Sequence, residues 1–227
     1  MSEATGAQLH SAVERIIDGP AELIARLNAF EGEAEESDDV ADDREIFERT
    51  ADLVVAHYAH KTMISGGAAA APAIVPVWGT ILSLVPGNLA DMTLCLKYET
   101  EMVQCLSALY GFDIRDDRER ALALLIASVG TYELLGNEGP VAGAARGIRD
   151  LAELERQALW NYSPRQIGKL ITKACVRLAL RGSARGLLKA IPLVGIGVSA
   201  LTNRVLTQRL GARARETLGY RVASEPR

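Results

Sequence analysis

The sequence predicts an all-α fold, a single compact multi-helix bundle with short apolar helical hairpins at proline elbows, and three observations carry that expectation. Apolar residues recur at helical spacing through most of the 227 residues, with few strand-like alternations. Start and stop signals, Pro, Ser or Asn before a periodic run and Gly after it, divide the chain into helix-sized pieces. Aromatics make up only 5% while Ala and Gly are abundant, a composition that lets helices approach closely in soluble and membrane proteins alike. At 48% hydrophobic and 24% charged, the chain can bury a substantial core, and a second domain is not required.

In order, a weak helix is expected over residues 8–17, and Pro20 starts a second that runs to about Phe30. Residues 31–43 are dense in carboxylates and contain no large apolar side chain except Val40, which reads as a solvated linker or frayed helix end. The run lacks the alternating ligand register, central Gly and terminal Glu of a calcium loop. An amphipathic helix over 43–65, with Ile46, Phe47, Val54, Tyr58 and Ala59 on its apolar side, is closed by Gly66-Gly67. Asn88 caps a helix to about Tyr110 that Gly111 ends. After the charged turn Asp113 to Arg120, residues 121–135 are apolar nearly all round and predict a central buried helix. An amphipathic helix follows over 141–160. Ser163-Pro164 starts another that reaches about Ala190, and a last one runs over 195–217.

The 29 residues Thr62 to Ala90 carry no charge and are broken by Pro72, Pro76 and Pro86. A transmembrane helix needs about 20 apolar residues, but the prolines remove backbone donors and favour two short apolar helices joined by turns. Val75-Pro76-Val77-Trp78-Gly79 corresponds to Ile191-Pro192-Leu193-Val194-Gly195. Pro72, Pro76, Trp78, Gly79, Pro86, Pro192 and Gly195 thus mark apolar elbows that could pair with one another or dip into a lipid leaflet.

The net charge of -4 conceals a strong polarity. Residues 1–50 carry 14 acidic and 4 basic side chains, whereas residues 160–227 carry 2 and 13. Arg165, Lys169, Lys173, Arg177, Arg181, Arg185 and Lys189 form a ladder with a step of four and no acid among them. Each step advances about 400°, so the ladder winds around its helix by about 40° per step. Like charges at this spacing repel mildly, so an anion is expected nearby. Either the acidic N-terminal third supplies it, or an anionic lipid surface does. Nucleic acid is not expected, because no aromatic interleaves the ladder and the pI is about 5.5.

Catalytic patterns are not found. No G-x-S-x-G elbow, phosphate loop or dinucleotide fingerprint occurs, and no cofactor is expected. His57 and His60 lie three apart and, with Asp91 or Asp52, are weak candidates for metal ligands; no third and fourth ligand is compelled. Asp91, between apolar neighbours, reads better as one half of an ion pair with Lys97 or a ladder cation. Cys95, Cys105 and Cys175 form no C-x-x-C pair and read as buried thiols of a reducing compartment. Residues 1–14 show no secretory signal, so a cytoplasmic location, peripheral on the inner membrane, is expected.

Tyr58-Ala59-x-Lys61 running into Gly66-Gly67-Ala68-Ala69, the proline-rich apolar segment, Ala90-Asp91, Leu109-Tyr110-Gly111-x-Asp113 with Asp116-Asp117-Arg118-Glu119-Arg120, and Lys189-x-Ile191-Pro192-x-Val194-Gly195 with Asn203 and Thr207 follow one another in an order and spacing that resemble the bacterial EcsC family. The resemblance covers about residues 45–220. It implies membrane association or amphipathic character and brings no catalytic residues. Residues 1–44 read as an acidic, partly helical N-terminal extension and 221–227 as a polar tail. The expected role is non-enzymatic, reversible association with anionic membrane lipid or an apolar ligand. The alternatives are a soluble adaptor regulating a membrane transporter or other complex through a protein partner, and, more weakly, a metal-dependent hydrolase using His57, His60 and Asp91.

Overall fold

The computed structural model of the protein describes residues 3–37, 42–68, 84–85, 87–137, 144–186 and 194–224. Eight helices lie among them: α1 (Glu3–Ile16), α2 (Pro20–Glu35), α3 (Asp43–Ala68), α4 (Gly87–Leu109), α5 (Asp117–Asn137), α6 (Ala144–Asn161), α7 (Pro164–Gly186) and α8 (Val194–Ser224). The all-α bundle expected from the sequence is the fold observed, and no strand occurs among the described residues.

Local chemistry sets several helix ends. Pro20 opens α2 at a position where a missing N–H is harmless. Gly111, at φ 89°, ends α4; its N–H donates to the Ala108 carbonyl and the Phe112 N–H to the Ser107 carbonyl, a paired closure that needs a left-handed residue and so favours glycine. At the start of α7, Gln166 Oε1 accepts from the Ser163 N–H at 2.9 Å, closing the first turn. Arg118, in the first turn of α5, donates to the carbonyls of Ala158 and Leu159 and so neutralises the negative end of α6.

The all-round apolar stretch of α5 is the centre of the bundle. Leu122 to Val129 are buried without interruption, and α4, α6, α7 and α8 surround them. The longest contact joins α3 to α8, which run antiparallel: Asp52 meets Arg215, Val55 meets Gly211 and Thr62 meets Thr207. A Cβ on Gly211 would lie 2.6 Å from Val55 Cγ2, so the close approach of the two helices depends on that glycine.

The acidic N-terminal segment enters this same core. Leu9 and Val13 of α1 and Leu23 and Leu27 of α2 are buried in one cluster with Val54, Leu106 and Leu125, and α1 lies along α7. The helical part of the acidic run extends to Glu35. At the ends of the uncharged stretch, Thr62, Ser65, Val85, Leu89 and Ala90 are buried within protein, the last three against Ala12, Ile16 and Ala179. Among the described residues no helix is long and apolar enough to cross a membrane.

Candidate functional site

The ladder begins on the solvent side of α7. Ile167, Ile171, Ala174, Cys175 and Leu178 bury one face of the helix; Arg165, Lys169 and Lys173 are exposed on the other. A drift of about 40° per step turns the fourth member about 120° from the first, and Arg177 is half-buried with its guanidinium 5.8 Å from the centre of the Tyr132 ring. Arg181 and Arg185 continue α7. Lys189 lies outside the described residues, as do the elbow residues Pro72, Pro76, Trp78, Gly79, Pro86 and Pro192; Gly195 is in the first turn of α8.

α1 packs directly beside the ladder, yet its acids do not neutralise it. A Cβ on Gly6 would meet Val176 Cγ2 at 2.3 Å, and His10 Nδ1 lies 3.2 Å from Thr172 Oγ1, so the two helices touch through Gly6 and Val176 and through His10 and Thr172, with no carboxylate at either contact. Among the described residues, Arg165, Lys169 and Lys173 have no carboxylate partner. Of the α1 acids, Glu14 lies 3.2 Å from His10, and acids of α3, α5 and α6 are engaged by α8. Arg215 of α8 pairs with Glu48 and Asp52, Arg213 with Glu133 and Glu155, and the buried Arg221 makes a bidentate pair with Glu119 at 2.8 Å. Acid-to-base docking between the two ends of the chain therefore runs through α8, not through the ladder.

A buried ionic cluster lies where α1 turns into α2 against α4. Lys97, 5% exposed, donates to Asp18 at 3.0 Å and to Glu101 one turn along α4. Arg26 donates to the other oxygen of Asp18 at 2.9 Å and to the Tyr58 hydroxyl at 2.7 Å, and stands 3.8 Å from Glu101. Burial disfavours the charge on Lys97, but Glu101 and Asp18 outweigh it and hold the ammonium above its ordinary pKa. Burial also works against the Asp18 charge, and hydrogen bonds from Arg26 and Lys97 carry its pKa below 3.8 regardless. Lys61 lies 5.5 Å from the ring centres of both Tyr58 and Tyr98. Lys97 is thus satisfied by Asp18 and Glu101 rather than by Asp91, which is half-buried one face away on α4.

Glu99 stands apart from this cluster. It is 3% exposed between α5 and α8, with Thr131 Oγ1 2.7 Å from Oε2 and Thr207 Oγ1 3.4 Å from Oε1. Burial raises its pKa from 4.5 to about 7 against the two threonine contacts, with no cation acting on it.

The weak metal candidates do not come together with a third ligand. His57 is wedged edge-on between Phe30 and Tyr58, and burial, with Lys61 and Arg26 nearby, lowers its pKa to about 4. His60 is exposed, and Asp52 is engaged by Arg215. Among the described residues no group of three or more His, Cys, Asp or Glu side chains is placed to hold a metal ion. The three cysteines are unbridged, and burial pushes the Cys175 thiol up to about 12.

Two parts of this arrangement were missed in the sequence. Lys97 and Glu101 are a visible i, i+4 pair, but Asp18 joins them from 79 residues away. Glu99 carried a signal, since it occupies the stripe Met92, Leu96, Glu99, Val103, Leu106 that faces the core. No protein-family model matches the chain, and comparison with curated proteins and with solved structures gives no match either.

Proposed function

We propose that this is a non-enzymatic helical protein that attaches reversibly to anionic membrane surfaces through the α7 face bearing Arg165, Lys169 and Lys173, in keeping with its resemblance to the EcsC family. One observation carries the reading: these three cations are exposed and without a carboxylate partner among the described residues, although α1, with Glu3 and Glu14, lies against α7. On this reading the chain works in the cytoplasm, peripheral on the inner membrane. Each cation near an anionic leaflet contributes about 1 kcal/mol, so three give roughly a hundredfold preference, enough for reversible attachment when a second, apolar contact adds to it. The proline elbows are the source of that second contact in this proposal.

Co-sedimentation with vesicles tests it. Binding is expected to rise with phosphatidylglycerol content, to fall steeply as salt screens the surface, and to be abolished by the double reversal Lys169→Glu, Lys173→Glu. Both residues are exposed, so the fold should survive. Equal sedimentation with neutral and anionic vesicles, or indifference to the double reversal, would overturn the proposal and favour the soluble adaptor that uses the same face for an acidic protein partner.

A further inference from the structure

The outer side of the α3–α8 pair carries an apolar ridge. Thr62 Oγ1 and Thr207 Oγ1 meet at 2.9 Å inside the protein, and the two helices run antiparallel. Ile64 lies two residues past Thr62, and Val205 two residues before Thr207. The two therefore stand at the same level of the pair and, at about 200° from the buried threonines, both turn outward. Leu201 follows one turn beyond Val205. All three are exposed, Ile64 by 44%, Val205 by 41% and Leu201 by 60%, far more than large aliphatics inside a helix pair.

Charge indicates what covers the ridge. No acid occurs on α3 after Asp52 or on α8 before Glu216. Arg204, exposed on the same stretch of α8, has no carboxylate partner among the described residues. A second copy of the chain laid on this face would set cation against cation. Anionic headgroups over hydrocarbon complement both the arginine and the aliphatics. The aliphatics also stand on the outside of the pair rather than lining a groove, which suits the headgroup boundary better than capture of a partner helix. Trp160, Tyr220 and Val222 are exposed too, but at the opposite end of the bundle, where Arg118 meets the last carbonyls of α6 and Arg221 meets Glu119. There α3 and α5 open with Asp43, Glu45 and Asp117, an acidic surround that an anionic leaflet disfavours. The ladder climbs away from that end. Pro164 and Gly168 of α7 share a cleft with Asp117 and Arg120, so α7 opens beside the start of α5, where α8 finishes, and rises toward the end where α8 begins.

We infer that Ile64, Leu201 and Val205 form the surface that enters the lipid, so that the end of the bundle where α3 finishes and α8 begins faces the bilayer; this rests on the membrane reading proposed above. Partition onto vesicles of phosphatidylglycerol and phosphatidylcholine tests it. The double change Leu201→Gln, Val205→Gln alters two exposed side chains and no charge, and should weaken binding by about tenfold or more with the thermal midpoint kept. Leu201→Trp keeps the ridge apolar and should bind as the native protein does. The emission it adds to the native spectrum should shift to the blue on binding and be quenched by brominated lipid. Unchanged partition of the double glutamine variant, with binding lost in Lys169→Glu, Lys173→Glu, would overturn the ridge alone and leave the ladder standing. The reverse pattern would support the ridge and overturn the ladder, and a native protein that binds no vesicle would overturn both. Added emission that brominated lipid leaves unquenched, or a lipid-free dimer that the glutamine changes dissociate, would also overturn the inference, the dimer by assigning the ridge to a second copy.

Discussion

Glu99→Gln is the substitution whose effect can be worked furthest from the structure. Glu99 is buried, receives no help from a cation, and has its pKa raised from 4.5 to about 7 by burial. Its hydrogen bonds are compatible with a carboxyl that keeps its proton. Thr131 Oγ1 is 2.8 Å from the Ala127 carbonyl as well as 2.7 Å from Glu99 Oε2, and its single proton can serve only one of them. If that proton goes to Ala127, the hydrogen of the second contact comes from Glu99. The linkage sign follows. Below about pH 4.5 both folded and unfolded chains bind the proton and the group is neutral in its effect. Between about 4.5 and 7 the unfolded chain releases the proton while the folded one retains it, so stability falls as pH rises, by about 1.4 kcal/mol per pH unit. The window spans a loss of about 3 kcal/mol, complete above about pH 7.

Glutamine has nearly the same shape and no charge to desolvate. Relative to the native chain, Glu99→Gln should therefore be close to neutral at about pH 4.5 and more stable by about 3 kcal/mol at about pH 8, which in a chain of this length corresponds to a midpoint higher by about 6–12 °C. Urea denaturation of both proteins across that pH range, with m-values checked for constancy, reads the difference directly. Parallel stability curves would refute the reasoning, as would a Glu99 carboxyl carbon resonance that titrates near the ordinary 4.5.

Other expectations follow from the same contacts. Arg221→Ala leaves Glu119 with Arg118, 3.2 Å away, as its remaining cation and removes the bidentate guanidinium stacked 3.8 Å from the Phe112 ring, so chemical denaturation should show a loss of about 1.5–3 kcal/mol. Gly6→Val forces a side chain against the Thr172 carbonyl, where a Cβ would already stand at 2.8 Å; separation of α1 from α7 should appear as a loss of about 1–3 kcal/mol and faster amide exchange in α1. Asp18→Asn removes the anion shared by Arg26 and Lys97, and its cost of about 1.5–3 kcal/mol near neutral pH should shrink as pH falls through the depressed pKa of Asp18, below 3.8, because the native side chain is then protonated too. A cost that does not change down to about pH 2 would show that Asp18 acts through packing and not through its charge.

The helices were legible because their boundaries are local. Gly111 requires a positive φ, Ser163 and Gln166 close a turn within four residues, and the uniformly apolar stretch after Arg120 fits only a helix enclosed on all sides. Charge polarity along the chain was equally plain, but the partner of each cation was not, because pairing is decided by which helices become neighbours. Arg215 reaches Glu48 and Asp52 from more than 160 positions away, whereas Lys173 sits on a helix touched by α1 and pairs with neither Glu3 nor Glu14. Sequence spacing did fix the winding of the ladder, and the half-buried Arg177 is where that winding brings it against Tyr132.

What distinguishes α7 from α8 is therefore not the number of cations but their surroundings. The α8 arginines that pair with acids lie against carboxylates drawn from α3, α5 and α6, and burial strengthens the Arg213 and Arg221 pairs among them. The first three ladder residues are exposed and have no carboxylate partner among the described residues, so their mutual repulsion, about 0.2–0.5 kcal/mol for each neighbouring pair, is not offset from within them. An anionic surface would reverse that sign, since the charges that repel one another along the helix would each be attracted across it. Neutralising two of the three should then raise the stability of the free protein slightly while removing its affinity for anionic vesicles. That opposite movement of stability and binding is the signature of a face kept for an external partner, and a loss of both together would instead mark the ladder as part of the fold.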